Sequence, residues 1–485
     1  MTLLRTWTER VFVGGLAPLV VFGSRFVGNI ILSRLLAPDE FGTAIAIGVV
    51  LSLGGLATDV ALDRFVMING SARALATAHL LSLTNGVLLT ILLVVCSPLS
   101  ARLFGVPDFS SSFAWAACIS MIGSFGHLST KQIQRTYNYG PDTIAQVVAN
   151  LTSVVVLLFA AATLRNHWAI IVSMAFQWTV YVGLSHALAR SPYRVRFNKT
   201  KLRQALAFGL PLTLNGIGLA IMSQLDRVLV GYWFGVRELG TYAVMFSMSV
   251  IPTHLIVNVL GGPGFSFLLA DNANVALRQE RYRVLQGVYS VITSLYALWM
   301  VLTLDGIIPL IYGKSFAISA LAHVLFVLIA CLRLQRSGAP TSLLLAGGRT
   351  KQLAVLNLSS GFGLLFAAGC IAIWPRLESM LVGIAIGEFI SFLVFFASLG
   401  DKQSRRGPAV VMRDVISAIF VPATLAAFLA LEPDPTWPAR GMLFLLGLGL
   451  IGSQVWFELH TNRSLRGALS NAIGDWLVRR RSVQT

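Results

Sequence analysis

Residues 33–46 read SRLLAPDEFGTAIA, and residues 231–244 read GYWFGVRELGTYAV. The stretches lie 198 positions apart, and Glu40, Gly42 and Thr43 coincide with Glu238, Gly240 and Thr241, while Phe41 faces Leu239. Each joins one long apolar run to the next. A weaker echo sets residues 139–145 opposite residues 348–354, each at the start of the fifth apolar run of its half. The repeating unit therefore holds six runs. Six is even, so both copies cross a membrane in the same sense, as in transporters whose halves are related by an axis along the membrane normal.

Composition agrees with that reading. Of 485 residues, 56% are hydrophobic and 12% are charged, about half the charge that keeps a soluble domain in water. Many apolar runs approach the ~20 residues that span a bilayer as a helix, among them residues 147–162 with their flanks and residues 442–457. Residues 1–10 are polar and the run after them is long enough to span, so no cleaved signal peptide is expected. The net charge of +17 is spread over short connectors, which argues against a nucleic-acid partner. Cys96, Cys118, Cys331 and Cys370 all fall inside apolar runs without ligand spacing, and read as small packing residues.

Fourteen spans are expected, starting near Val11, Thr43, His79, Ser111, Thr143, Trp168, Ala205, Gly240, Gln286, Phe316, Leu353, Ser379, Val415 and Pro438. With this alternation, 28 of the 37 Lys and Arg residues fall on the side of the termini, among them Arg333 and Arg336. Seven fall on the other side, and Arg25 and Arg227 on neither. The positive-inside rule then places both termini in the cytoplasm. The expected architecture is an all-α polytopic membrane protein with two six-helix bundles, residues 1–190 and 205–400. A basic cytoplasmic linker, 191–204, joins them. Two additional transmembrane helices occupy 401–462, and a basic amphipathic tail, 463–485, lies on the anionic leaflet or frays from it.

At these residues the chain resembles the Wzx-type polysaccharide flippases of the multidrug/oligosaccharidyl-lipid/polysaccharide transporter superfamily. The resemblance rests on Arg34-Leu-Leu-Ala-Pro-Asp-Glu-Phe-Gly42 after the first run and Asp59-Val-Ala-Leu62 ending the second. It extends to Gln224-Leu-Asp-Arg-Val-Leu-Val-Gly231 with Gly235-Val-Arg-Glu-Leu-Gly240, and to Gln132-Ile-Gln-Arg135. It covers the first twelve runs. The family pattern ending the second run is D-x-G-L, and this chain lacks its glycine. The resemblance implies an inner-membrane flippase and no enzyme. Its cargo would be a polyprenyl-diphosphate-linked oligosaccharide repeat unit, moved to the outer leaflet for exopolysaccharide, capsule or O-antigen. Candidate partners are membrane lipids, a polysaccharide polymerase and a chain-length regulator. No cofactor is expected, beyond H⁺ or Na⁺ as a coupling ion.

Ionisable side chains within spans are costly and generally face an interior or a water-filled cavity. Arg25, with Asn29 one turn on, and Arg227, with Asp226 beside it and Ser223 one turn before, are candidate substrate-binding residues. Guanidinium groups bind phosphate oxygens bidentately, which suits a carrier diphosphate. The structural alternative is that Arg227 pairs with Asp226 or another carboxylate and Arg25 snorkels. Glu388 follows Gly383-Ile-Ala-Ile-Gly387, a small-xxx-small pair that permits close helix contact. It is a candidate ion-coupling carboxylate or a lock between two helices. Asp59 is a candidate cavity residue, and Asp63 with Arg64 a candidate gate. His127 and His254 read as lone packing histidines within spans. Trp178, Tyr181 and Trp233 suit either sugar stacking or an interfacial belt.

Two motif matches are discarded. Gly306 to Ser315 ends in Gly-Lys-Ser but has six residues between its glycines where a P-loop has four, and 447–452 matches a dinucleotide fingerprint inside an apolar run. The competing functions are a multidrug or small-molecule exporter of the same superfamily and a membrane polymerase or ligase. The first would favour an acidic cavity. The second would need a large outer loop with a catalytic set, and every outer connector here is short.

Overall fold

The computed structural model describes residues 2–136, 138–269, 275–316, 318–359, 361–398, 408–431 and 437–461. Among these residues the structure contains helices and no strand. The tail expected over 463–485 lies outside the described residues.

The first half comprises α1 (Thr2–Leu35), α2 (Pro38–Thr58), α3 (Leu62–Asn69), α4 (Ala72–Val95), α5 (Ser97–Leu103), α6 (Ser110–Ser124), α7 (Ser129–Ile133), α8 (Gly140–Leu164) and α9 (Trp168–Ala187). Beyond a connector come α10 (Lys199–Ser249), α11 (Ile251–Leu269), α12 (Val275–Ile311), α13 (Ala320–Ser337) and α14 (Ala339–Ala346). The chain continues through α15 (Thr350–Ser359), α16 (Phe362–Ile373), α17 (Leu377–Ser398), α18 (Pro408–Leu431) and α19 (Trp437–Thr461). The expected runs fall on helices, with the one near Leu353 divided between α15 and α16. Ten helical stretches among the described residues are long and apolar enough to cross a membrane by length and composition. In hydrocarbon the backbone has to satisfy its own hydrogen bonds, and a helix does so within one segment.

The helix ends follow local chemistry. Pro38 opens α2, with Asp39 and Glu40 in its first turn facing the helix dipole. Ser71 and Ser319 cap α4 and α13 by accepting the amides of Ala74 and Ala322, each at 3.2 Å. Gly235, at φ 85°, breaks α10 into two helical parts inside the second repeat stretch.

The two repeat stretches meet. A Cβ placed on Gly42 would stand 1.7 Å from the Val236 carbonyl oxygen, and one on Gly240 would stand 3.4 Å from Gly42 Cα. Two glycines aligned by sequence thus allow two backbones to touch where no side chain fits. The Phe41 ring packs edge-on against Phe316, centroids 5.3 Å apart.

The chain divides into two compact units, Met1–Val244 with Ile311–Phe316, and Met245–Leu310 with Ala317–Thr485. The division follows the second repeat stretch, whereas the six-helix grouping begins at residue 205. The reason is that α10 packs on the end of α2: Thr213 Oγ1 donates to the Asp59 carbonyl at 3.0 Å, and a Cβ on Gly216 would stand 2.6 Å from the Leu56 carbonyl oxygen. In the second unit α17 lies directly on α16. A Cβ on Gly387 would be 2.0 Å from Gly363 Cα, and one on Gly383 would be 2.4 Å from Ala367 Cα. The small-xxx-small pair therefore makes the helix contact expected of it.

The departure from the family pattern at the end of α2 has a structural consequence. Ala61 occupies the position of the missing glycine and adopts φ 49°, ψ 42°, a left-handed conformation. Its amide donates to Asp59 Oδ1 at 2.8 Å, which fixes the turn. An L-residue there costs about 1–2 kcal/mol. Ala61→Gly is expected to raise stability by about 1 kcal/mol, read as a higher unfolding midpoint in detergent. An unchanged or lower midpoint would contradict this account of the turn.

Candidate functional site

Arg25 and Arg227 lie on two different helices, α1 and α10. Arg25 stands exposed on α1, Arg227 is half-buried on α10, and their like charges lie within electrostatic reach of each other. Arg227 Nη1 donates to Gln224 Oε1, one turn back on the same helix. Gln224 Nε2 in turn donates to Ser52 Oγ of α2 at 3.2 Å. Asp226 does not take the Arg227 guanidinium. Its carboxylate is buried, accepting the Arg227 amide at 2.8 Å and the Tyr242 hydroxyl at 2.6 Å. Asn29 sits half-buried one turn beyond Arg25, and Ser223 is exposed one turn before Arg227.

Glu388 is engaged. Arg333 Nε donates to its Oε1 at 2.7 Å, and Arg336 Nη1 lies 3.2 Å from Oε2. Arg336 Nη1 also donates to Ser391 Oγ at 2.8 Å, and Ser391 Oγ is 2.9 Å from Ser359 Oγ. These bonds tie α13 to the middle of α17 and to α15. Arg333 and Arg336 lie in the last two turns of α13, Ala320–Ser337. The carboxylate that meets them lies 55 positions from Arg333, so nothing in the sequence signalled the pairing.

The remaining candidates occupy helix ends. Asp59 is exposed at the end of α2 and bonds its own turn. Asp63 Oδ1 accepts the Arg64 amide at 2.8 Å, at the start of α3, while the Arg64 side chain is exposed. His254 is exposed. His127 lies outside any helix, between α6 and α7, and is not alone. Its ring is 4.9 Å from that of His79 and 5.1 Å from that of His186, and Tyr193 touches all three. Burial, then the neighbouring His186, lowers the basicity of His127, so this ring is neutral near pH 7. Among the described residues no group of His, Cys, Asp and Glu is arranged to hold a metal.

Two further polar centres escaped the sequence reading. Asp142, buried at the start of α8, accepts Lys131 Nζ at 2.8 Å, Gln134 Nε2 at 2.9 Å, Gln146 Nε2 at 2.7 Å and the Tyr181 hydroxyl at 3.2 Å. This explains the polar segment around 132–135 as a structural tie. Glu40 of the first repeat stretch accepts His167 Nδ1 at 2.6 Å, and His167 Nε2 meets Ser112 Oγ at 2.7 Å. Ser112 is buried, so these three residues join helix ends and present no accessible nucleophile. A cleft of about 610 Å³ between α13, α17 and α18 is lined by apolar residues such as Leu328, Phe389 and Phe420, with no ionisable group. It does not suit a charged head group.

The polysaccharide biosynthesis protein family matches residues 31–321, more than half of the chain. The chain belongs to this family. It is 22% identical over 300 residues to the succinoglycan biosynthesis transport protein ExoT of Rhizobium meliloti (strain 1021), covering 60% of this chain and 59% of that one. It is 19% identical over 283 residues to the teichuronic acid biosynthesis protein TuaB of Bacillus subtilis (strain 168), covering 58% of each. The matches thus span about three-fifths of these curated relatives. Among solved structures, the lipid II flippase MurJ in an inward closed conformation superposes with TM-score 0.65 and 12% identity, covering 92% of this chain and 99% of that one. An inward-facing multidrug resistance transporter of the MATE family, in the MOP superfamily, gives TM-score 0.54 at 14% identity, covering 77% and 92%. At these identities the likeness is one of fold: this family member has the MOP-type, multi-pass membrane fold.

Removing one member of a buried ion pair strands the other and typically costs 3–5 kcal/mol. Glu388→Gln is therefore expected to lower stability by about 3 kcal/mol, seen as a lower unfolding midpoint and a smaller monodisperse fraction in detergent. Wild-type stability in this variant would show that the carboxylate does not tie α13 to α17.

Proposed function

We propose that this family member is a flippase moving polyprenyl-diphosphate-linked oligosaccharide repeat units from the cytoplasmic to the outer leaflet of a bacterial inner membrane. The product would feed exopolysaccharide, capsule or O-antigen assembly. The observation that carries this reading is that two arginines from different helices, Arg25 and Arg227, lie within electrostatic reach of each other. A diphosphate leaving the head-group layer needs replacement donors for its oxygens, and two guanidinium groups supply them in a planar, bidentate form. An exporter of organic cations gains nothing from two arginines whose fields add. The family match supports a role in polysaccharide export, and a relative named as a succinoglycan transport protein supports transport over synthesis. MurJ, named for flipping lipid II, shares the fold.

In this reading alternating access of a central cationic cleft moves the head group. Arg25 and Arg227 hold the diphosphate, Asn29 assists, and Asp226 positions Arg227 through its amide. We assign Glu388 to locking α13 against α17, because coupling to H⁺ or Na⁺ there would require it to leave two arginines. Exposed Asp59 is the better coupling candidate, and Asp63 and Arg64 flank it on α3. Both termini lie in the cytoplasm, and a polymerase and a chain-length regulator act on the product.

A charge-assisted hydrogen bond contributes about 1.5–3 kcal/mol, so Arg25→Ala or Arg227→Ala should lower polymer output roughly ten- to a hundredfold at normal protein level. The Lys variants should retain more activity than Ala, since they keep the charge. Full polymer output from both Ala variants, with normal membrane insertion, would sink the cationic-patch assignment.

A further inference from the structure

The connector between α9 and α10 crosses the end of the first unit as an irregular strap over residues 188–198. The strap is pinned. The Arg196 amide donates to the Ala76 carbonyl at 3.3 Å, and the Arg194 carbonyl oxygen lies 3.1 Å from His79 Nδ1. His79 Nε2 accepts the Leu128 amide at 3.2 Å, which places the ring proton on Nδ1, toward Arg194. The Tyr193 ring packs on those of His79 and His186 at 4.3 and 4.8 Å. At the far end Asn198 Oδ1 caps α10 by accepting the Lys201 amide at 3.0 Å.

The anchoring points set the strap's depth. Ala76 and His79 lie in the first two turns of α4, which begins at Ala72 and is long and apolar enough to cross a membrane. At ~1.5 Å per residue, His79 sits about 10 Å along the helix. With Ala72 taken at the outer edge of a polar layer roughly 5–8 Å thick, His79 falls just past the head groups, at the start of the acyl chains.

The side chains presented there are of two kinds. Arg190, Arg194, Arg196, Lys199 and Arg203 are exposed, and no acidic residue occurs from 190 to 203. Between them Val195 is 43% exposed and Phe197 is 68% exposed. Such an aromatic ring is poorly placed in water but well placed beside acyl chains, with cations reaching the phosphate layer. An acidic protein partner would answer the arginines, but nothing in the strap's depth calls for one.

We propose that the 188–198 strap is a lipid-binding edge. Arg194 and Arg196 hold the phosphates of anionic lipid head groups, and Phe197 with Val195 enters the acyl boundary beside them. The assignment is independent of the transported cargo. It makes the strap between α9 and α10 a fixed interfacial element, held by histidines on one side and by lipid on the other.

The test uses the full chain with p-benzoyl-phenylalanine in place of Phe197, reconstituted in phosphatidylcholine vesicles with and without phosphatidylglycerol and also irradiated in native membranes. The expected result is a lipid adduct, detected by mass spectrometry, enriched when phosphatidylglycerol is present. In the Arg194→Gln/Arg196→Gln background its yield should fall roughly thirtyfold, the equivalent of ~1 kcal/mol for each arginine. These exposed side chains can be replaced without touching the backbone bonds that pin the strap, so the variant should fold. A protein adduct in native membranes, no lipid adduct, or a lipid adduct indifferent to the arginines would each overturn the proposal.

Discussion

The cost of charge in hydrocarbon is the constraint on which this structure depends. An ionised side chain at mid-membrane has to find a partner or a wet surface, and two buried carboxylates here show how. Glu388 lies in the middle of α17 and meets Arg333 and Arg336 of α13. Asp226 is buried against the Tyr242 hydroxyl and the amide that follows it. Arg227 donates to Gln224 one turn back, and its charge acts on Arg25 of α1. Two guanidinium groups near one another suit an anionic ligand, and the functional reading starts from there.

Close backbone approach is the second organising feature. Gly42 against Val236, Gly387 against Gly363 and Gly383 against Ala367 are contacts in which a single methyl group would collide with backbone. In lipid, where burial of apolar surface gives little drive to helix association, packing of this kind holds helices together. The repeat has a physical meaning in this light. Glu40 and Gly42 recur as Glu238 and Gly240 because both stretches turn the chain at a crowded place, and there the glycines lie against each other. Glu40 adds a further hold by accepting His167.

Much of the fold was legible in the sequence because a membrane imposes one element type and one length. Ten helical stretches among the described residues are long and apolar enough to span, and the small-xxx-small stretch at Gly383 does bring two helices into contact. What could not be read were pairings between distant positions. Nothing at Arg333 and Arg336 points to Glu388 until the structure sets it beside them. His127 looks solitary until His79 and His186, each about fifty or more positions away, are placed around it. The turn at Ala61 shows a middle case: the missing glycine was visible, but only the backbone reveals that alanine has taken the left-handed conformation in its place. Of the site, Arg25 and Arg227 stood out as charges within apolar runs, whereas the Gln224 and Ser52 side chains that brace Arg227 carried no signal.

The central claim is that this family member carries a lipid-linked sugar across the membrane. Its most direct measurement is the fate of carrier-linked oligosaccharides in cells lacking the protein. The account predicts lost extracellular polymer together with complete, unpolymerised repeat units that remain in the inner leaflet, inaccessible to a glycan-modifying enzyme added from outside. Repeat units that still reach the outer leaflet, with normal polymer, in cells carrying no second flippase would contradict it.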